Sequence, residues 1–181
     1  MLKHSHAYRE ASCIGRCMWK PMSTGLRNTT AYTAWVTDFN KKIKEGQVDF
    51  GVAVLDINNL KKANDEYGHK SGDELILTAS KVISGVFKRS PVFRIGGDEF
   101  VVILQNNDFE NRESLFEQFK SNCANTFIEE GNVKIPIRIA WGFAKFDSSV
   151  DTNFTDVFKR ADDAMYENKR KTKEINKFDN E

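Results

Sequence analysis

The sequence predicts an α+β domain, a sheet of hairpin-joined and crossover-linked strands with helices packed mainly on one side. Three features carry this expectation. Two apolar runs, Val92 to Ile95 and Phe100 to Leu104, flank Gly96-Gly97-Asp98-Glu99, the pattern of a tight β-hairpin. Val133, Ile135, Ile137, Ile139, Trp141 and Phe143 alternate strictly with other residues, as a half-buried strand does. Segments of helical period separate the strands, giving the order α, β, α, α, β, β, α, β, α.

Each element has its own signal. Tyr32, Val36, Phe39 and Ile43 form one helical face, behind Asn28, Thr29 and Thr30, any of which can cap it, and ahead of Gly46. Val48 to Ile57 is mostly apolar and of strand length, consistent with burial on both faces. A short helix is expected around Leu60 to Tyr67, stopped by Gly68. A longer one follows with Leu75, Ala79, Val82 and Val86 on its stripe, widened by Ile76, Ile83 and Phe87. After the hairpin, Leu115, Phe119, Cys123 and Phe127 mark another helix. Pro136 within the alternating run suggests an edge position or a bulge. Phe154, Val157, Phe158, Ala161 and Met165 line the last helix, which runs into Lys169-Arg-Lys-Thr-Lys173.

The 181 residues suffice for one domain with a sizeable core, and 40% hydrophobic with 29% charged residues is an ordinary globular composition. Lys plus Arg total 27 against 26 Asp plus Glu, which gives no electrostatic case for a nucleic-acid binder. No apolar run approaches the roughly 20 residues of a membrane helix, and Met1 to Arg16 lacks a secretory apolar stretch. The expected address is the cytoplasm. Cys13 and Cys17, with Cys123 far away and His4 and His6 in a polar leader, do not complete a four-ligand zinc set. Residues 1–22 read as a tail or the remnant of an upstream connection, 23–176 as the domain, and 177–181 as a C-terminal tail. A regulatory domain does not fit in the leader, so a missing one in a longer parent is an open possibility.

Acidic residues stand where chemistry can use them. Asp56 lies at the end of an apolar strand, and Asp98 with Glu99 at the hairpin turn, so neighbouring strands would bring the carboxylates together. Hard oxygen ligands suit Mg²⁺ or Mn²⁺, which bind one or two carboxylates plus substrate phosphates. Each feature also has an ordinary explanation. Asp56 suits a helix cap, the two glycines suit a hairpin turn, and Asp73 suits the first turn of a helix. His69 is the only histidine beyond the leader, which disfavours a nucleophilic triad, and no Walker-type loop is present.

The conjunction is more specific. Arg94-Ile-Gly-Gly-Asp-Glu-Phe100 resembles the motif that names the GGDEF family of diguanylate cyclases. Asp56-Ile-Asn-Asn-Leu-Lys-Lys-Ala-Asn-Asp-Glu-Tyr-Gly-His-Lys-Ser-Gly-Asp73 resembles that family's upstream block in register. Thr24-Gly-Leu-Arg-Asn28 resembles its N-terminal marker, and Ala161-Asp-Asp-Ala-Met-Tyr-Glu-Asn-Lys169 its C-terminal helix. The resemblance covers about residues 22 to 176. It implies a palm-like fold of the nucleotide-cyclase or ferredoxin-like kind, with a central, mainly antiparallel sheet packed by helices.

It also implies a function. Two GTP molecules would be condensed into cyclic di-GMP and two pyrophosphates by metal-assisted attack of a 3′-hydroxyl on an α-phosphate. This would occur at the interface of a homodimer that is weak in isolation. Asp56, Asp98, Glu99 and the Ile57 carbonyl would hold two Mg²⁺ or Mn²⁺ per site, with Glu99 helping to activate the hydroxyl. Asn64 and Asp73 would read guanine, the amides around Asn59, Leu60 and Lys61 would cradle phosphates, and Lys169 would contact the terminal phosphates, with Lys173 beside it. The alternative is a catalytically silent GGDEF domain that senses GTP or a protein partner.

The chain departs from the family pattern in places. Leu60 replaces an aromatic, and Lys173 replaces an arginine, removing bidentate phosphate contact. Thr172-Lys-Glu174 replaces a Gly-Arg-Asn ending. Pro21 and Ser23 stand in the N-terminal marker, which lacks its leading Asp and Leu. Phe87 and Ser90 occupy the positions of the Arg and Asp of an inhibitory product site.

Overall fold

The computed structural model describes residues 26–46 and 48–178, with side chains through Thr172. The leader cysteines and histidines, Thr24, Gly25 and the side chain of Lys173 lie outside the described residues. Helix α1 (Thr29–Lys44) is capped by Asn28, whose side-chain oxygen accepts the Ala31 N–H at 3.0 Å. Strand β1 (Phe50–Ile57) is buried at every position. Helices α2 (Leu60–Tyr67) and α3 (His69–Val86) follow, separated by Gly68, whose φ of +84° requires a residue tolerant of left-handed backbone. Strands β2 (Val92–Arg94) and β3 (Glu99–Gln105) form the expected hairpin.

Helices α4 (Asn106–Glu110) and α5 (Arg112–Ala124) then lead to β4 (Phe127–Glu130), β5 (Val133–Pro136), β6 (Ile139–Lys145) and the long α6 (Phe154–Phe178). The main sheet has the order β2-β3-β1-β6, and every pairing in it is antiparallel. The central β1 thus lies between β3 and β6.

Helices cover both faces of this sheet, not mainly one. On the first face Ala53, Leu55, Phe100, Val102 and Leu104 meet Leu75, Ala79 and Ile83 of α3 and Phe116 and Phe119 of α5. On the second, Val52, Val54, Val101 and Ile103 meet Phe39 of α1 and Phe154, Val157 and Ala161 of α6. The physical reason lies in β1 and β3. Strands apolar at successive positions have no face to leave in water, so each side requires its own helical layer.

The alternating run from Val133 also needs correction, because it is two strands. Val133–Pro136 pairs with β4 in a separate two-stranded sheet, whereas Ile139–Lys145 joins the main sheet. The break falls just after Pro136, which lacks the N–H that a continuing ladder would use. Phe127 belongs to β4 and not to the helix; α5 ends at Ala124, and Asn125 closes it with bonds to the Ser121 carbonyl. The short α4 and the β4–β5 hairpin carry no period long enough to be read in advance.

Close approach of α6 to β6 depends on Gly142. A side chain there would overlap the backbone of Ala161, Ala164 and Met165. This contact brings α6 down onto the second face and fixes where its polar end, with Asn168 and Lys169, meets the edge of β1.

Candidate active site

Strand register is what assembles the carboxylates. Asp56 on β1 lies directly opposite Glu99 on β3. Both belong to the face covered by α1 and α6, since Val52 and Val54 precede Asp56 on that face and Val101 and Ile103 follow Glu99. Asp98, one residue before β3, is tied to the same point by its carbonyl, which accepts the Ile57 N–H at 2.9 Å. Like charges directly opposite in a sheet repel, so this pair needs compensation. Lys169 of α6 supplies it through an ion pair to Asp56 of 2.6 Å.

Both acids are largely withdrawn from water, Asp56 being 6% exposed and Glu99 8%. Burial, and then the charges of Asp98, Asp56 and Asp162, push the Glu99 carboxyl up to about 7 against the opposing effect of Lys169. Gly96 makes room for this side chain, because a Cβ there would stand 2.9 Å from Glu99 Oε2. Neither Gly96 nor Gly97 has a left-handed φ. The first glycine therefore serves a close approach, and the turn geometry does not demand it.

The chain beyond β1 turns at Asn59, whose φ of +62° is left-handed. Asn59 forms no side-chain cap on α2, so the first amides of that helix, at Leu60 and Lys61, are not capped from within it. The Asn58 N–H is engaged, donating to the Arg138 carbonyl at 2.8 Å. Asn58 Oδ1 is buried with no hydrogen-bond partner.

Asn64 of α2 faces Gly72 of α3, and Asp73 follows in the second turn, not in the first turn where the sequence suggested an acid; the first turn of α3 holds none. Any side chain at Gly72 would overlap the Asn64 amide. Ser71, beside it, donates to Glu130 Oε2 at 2.7 Å and so ties this turn to β4. Arg94 connects the two halves of the site: Asp73 and Asp98 both act on its guanidinium, raising its proton affinity against the lowering by burial. It also donates to the Gly97 carbonyl at 2.7 Å.

The structure thus brings Asp56, Asp98, Glu99 and Lys169 to one end of the sheet, and sets Asn64 of α2 against Gly72, the residue before Asp73. Sequence reasoning did not single out Arg94, Gly72, Asp162 or Arg138. The signal for Arg94 was its place at the head of the hairpin motif; Gly72 could be found only from the helix pairing. Among the described residues no three Asp, Glu, His or Cys side chains are grouped as a ready-made metal cage. The donor set nevertheless suits Mg²⁺ or Mn²⁺, which take one or two carboxylates and complete their octahedron with water and phosphate.

An antiparallel sheet covered by helices on both faces, with a buried acidic pair at its rim, is an α+β fold of the palm-like class. The family model described as "Diguanylate cyclase, GGDEF domain" matches residues 22–174, and the chain belongs to that family. The diguanylate cyclase DgcS of Shewanella oneidensis is 35% identical over 114 residues, 56% of this chain and 38% of that protein. An uncharacterised membrane protein of Staphylococcus aureus is 27% identical over 79% of this chain and 41% of its own length. The chain therefore spans about two fifths of the curated relatives it matches.

Among solved structures, the GGDEF domain of DgcB from Caulobacter crescentus in complex with c-di-GMP superposes with a TM-score of 0.73 at 26% identity, covering 87% of this chain and 94% of that one. The active GGEEF domain of a diguanylate cyclase from Vibrio cholerae gives 0.68 at 26%, covering 81% and 92%. Among the described residues no helix is long and apolar enough to cross a membrane.

Proposed function

We propose that this chain is a diguanylate cyclase, joining two GTP molecules into cyclic di-GMP with release of two pyrophosphates. The observation that carries the reading is the register of Asp56 opposite Glu99, with Asp98 beside them, within a GGDEF domain. In each half-reaction the 3′-hydroxyl oxygen of one GTP forms a bond to the α-phosphorus of the other. The bond from that phosphorus to the β-phosphate bridging oxygen breaks, and the hydroxyl proton leaves to a base. On this reading Glu99, opposite Asp56 at the sheet rim, helps to activate that hydroxyl.

Asp56, Asp98, Glu99 and the Ile57 carbonyl would hold Mg²⁺ or Mn²⁺, two per site, and a bound ion would supply Lewis-acid stabilisation of the phosphoryl charge. The amides at Asn59, Leu60 and Lys61 face the triphosphate, with Lys169 and Lys173 as cationic contacts. Guanine presents donors at N1 and N2, which an ionised Asp73 accepts, while the Asn64 amide serves either a donor or an acceptor. Adenine lacks the N1 donor and would leave the Asp73 carboxylate unpaired.

One such site positions one GTP. Two copies facing each other across a two-fold axis supply both hydroxyls and both α-phosphates, so the working unit is a homodimer that substrate helps to bridge. The test is incubation of the purified chain with GTP and Mg²⁺, with the nucleotide product identified by mass spectrometry. Cyclic di-GMP from the wild type and less than a hundredth as much from Asp98→Ala is the expected result. Equal yields from the two would remove the assignment, and no cyclic dinucleotide at any enzyme concentration would leave a nucleotide-binding domain without this chemistry.

A further inference from the structure

Helix α3 begins without a side-chain cap. Gly68, with a φ of +84°, stands at the cap position and has no side chain to offer. Backbone bonds from Ser71 and Gly72 to the Gly68 carbonyl, at 3.1 and 3.4 Å, start the helix. A glycine joint of this kind leaves the angle between α2 and α3 to be set by contacts from the side. Ser71 and Asp73 are two residues apart, about 200° around a helix, so they point to opposite sides of α3. Gly72 lies between them, against the Asn64 amide.

The contact behind α3 comes from the β4–β5 hairpin. Its strands pair from Phe127↔Pro136 to Glu130↔Val133, closed by a two-residue turn in which Gly131 has a φ of +59°. Ile128 is buried in the same core as Leu75 and Ile76 of α3, and Ile135 opposite it packs there too. Glu130 is two residues after Ile128 and so shares its face, toward α3. There its Oε2 accepts the Ser71 hydroxyl at 2.7 Å, a charge-assisted bond to a side chain only 1% exposed. The hairpin thus grips the uncapped first turn from the side away from Asp73.

We propose that Glu130 is a positioning residue for recognition of the base: through Ser71 it holds the start of α3 so that Asp73 and the Asn64 amide keep a fixed separation. The inference rests on the cyclase reading for the roles of Asn64 and Asp73, and deepens it by naming what keeps them in register. Without this bond the turn can rock on Gly68. The guanine contacts then loosen, while the carboxylates at the sheet rim, held by strand register, stay in place.

The test uses the full chain. Glu130 is exposed, and Ser71 keeps the Tyr67 carbonyl as another acceptor at 3.1 Å, so Glu130→Ala orphans no buried group. This variant should raise the KM for GTP roughly fivefold, the loss expected for one hydrogen bond, with a smaller fall in kcat. Inosine triphosphate, whose base lacks the 2-amino donor, should lose less, so the preference for guanine should narrow. Glu130→Gln keeps an acceptor of the same reach and should restore most of the loss. Ser71→Ala should match Glu130→Ala, and the double variant should be no worse than either, since all three remove one bond. Calorimetry with GTP and inosine triphosphate analogues that carry a methylene between the α- and β-phosphates gives a reading independent of turnover. A narrowed preference in Glu130→Ala supports the inference even if the wild type makes no cyclic di-GMP, an outcome that would defeat only the cyclase reading. Lower melting with unchanged affinities would make the bond purely structural and overturn the inference. Equal losses for both analogues would overturn it too, as would a wild type that binds the two alike, because no base reader is then there to be held.

Discussion

Replacing Glu99 by Gln tests whether the acidic cluster stores repulsion. With burial as the largest cause, and Asp98, Asp56 and Asp162 adding to it, the Glu99 carboxyl moves from its ordinary 4.5 to about 7. An acid whose folded value lies above its unfolded value binds more protons in the folded state between the two. Native stability should therefore fall as pH rises from about 4.5 to about 7 and stay at the lower level beyond. The full shift is equivalent to about 3 kcal/mol at about 1.4 kcal/mol per pH unit. Because water reaches the sheet rim, roughly half of this, 1–2 kcal/mol, should survive screening. In EDTA at pH 8, Glu99→Gln should thus melt roughly 3–6 °C above the wild type, by the usual scaling for a domain of this size. At pH 4.5 the two should coincide. Thermal unfolding followed by circular dichroism at both pH values is the assay. A variant no more stable than the wild type at pH 8 would show that Glu99 is not held in a repulsive field.

Three further outcomes follow from the packing. Gly72→Ala should raise the KM for GTP by about tenfold through displacement of Asn64, the cost of disturbing one polar base contact. Melting should be unchanged or higher, because alanine favours the helix by up to about 1 kcal/mol; an unaltered KM would detach Asn64 from the base. Gly142→Ala should lower stability by about 3 kcal/mol or more in urea titration, since the new methyl meets the unyielding backbone of α6. A loss below about 1 kcal/mol would mean that α6 can lift away freely. Phe87 is buried against Phe116 and Phe119, and the Ser90 hydroxyl is donated to Asp108 at 2.8 Å, so neither position offers an exposed charge. Cyclic di-GMP titrated into the assay should produce no non-competitive inhibition through this surface, and strong inhibition of that type would contradict it.

The parts of the fold that were legible in the sequence are those fixed by local signals. Thr29–Lys44 matched its apolar face and glycine stop, Leu60–Tyr67 its glycine stop, and β1 its mostly apolar run, beginning at Phe50 and not at Val48. The hairpin around Gly96-Gly97 was likewise readable, although its turn does not use glycine for the expected reason. Illegible features were those decided by a neighbour. Nothing within Val133 to Phe143 says that Pro136 divides one alternating pattern between two sheets. The second helical layer was implied by the burial of both faces of β1, yet its members, α1 and α6, lie at opposite ends of the chain. The same distinction applies to the site. Asp56, Asp98 and Glu99 stood out as polar residues at the ends of apolar runs, whereas the link from Asn58 to Arg138 joins residues 80 positions apart through a backbone bond.

Lys169 shows how charge balance can order events at such a site. It grips Asp56 at 2.6 Å, while Glu99 lies opposite the same aspartate. Asp98 and Asp56 both act on Glu99 against Lys169, and Glu99, buried beside them, holds its proton up to about 7. On the proposed assignment, a divalent cation at Asp56 and Glu99 would compete with both the lysine and that proton. Two cations placed close together repel, so Lys169 would lose its reason to stay on Asp56 and would need another anion. On that assignment the terminal phosphates would be the anion available to it. The lysine that neutralises the resting cluster is thus the one that can turn to the substrate, and the two proposed roles of Lys169 become successive states of one side chain. Replacing it with Met, which keeps much of its apolar stem, separates these states. If the account holds, Lys169→Met should bind Mg²⁺ more tightly in the absence of nucleotide, because a competing cation is gone. Its KM for GTP should rise, because a phosphate contact is gone. Tighter Mg²⁺ with an unchanged KM would confine Lys169 to the resting cluster, and weaker Mg²⁺ would show that it never competed for Asp56.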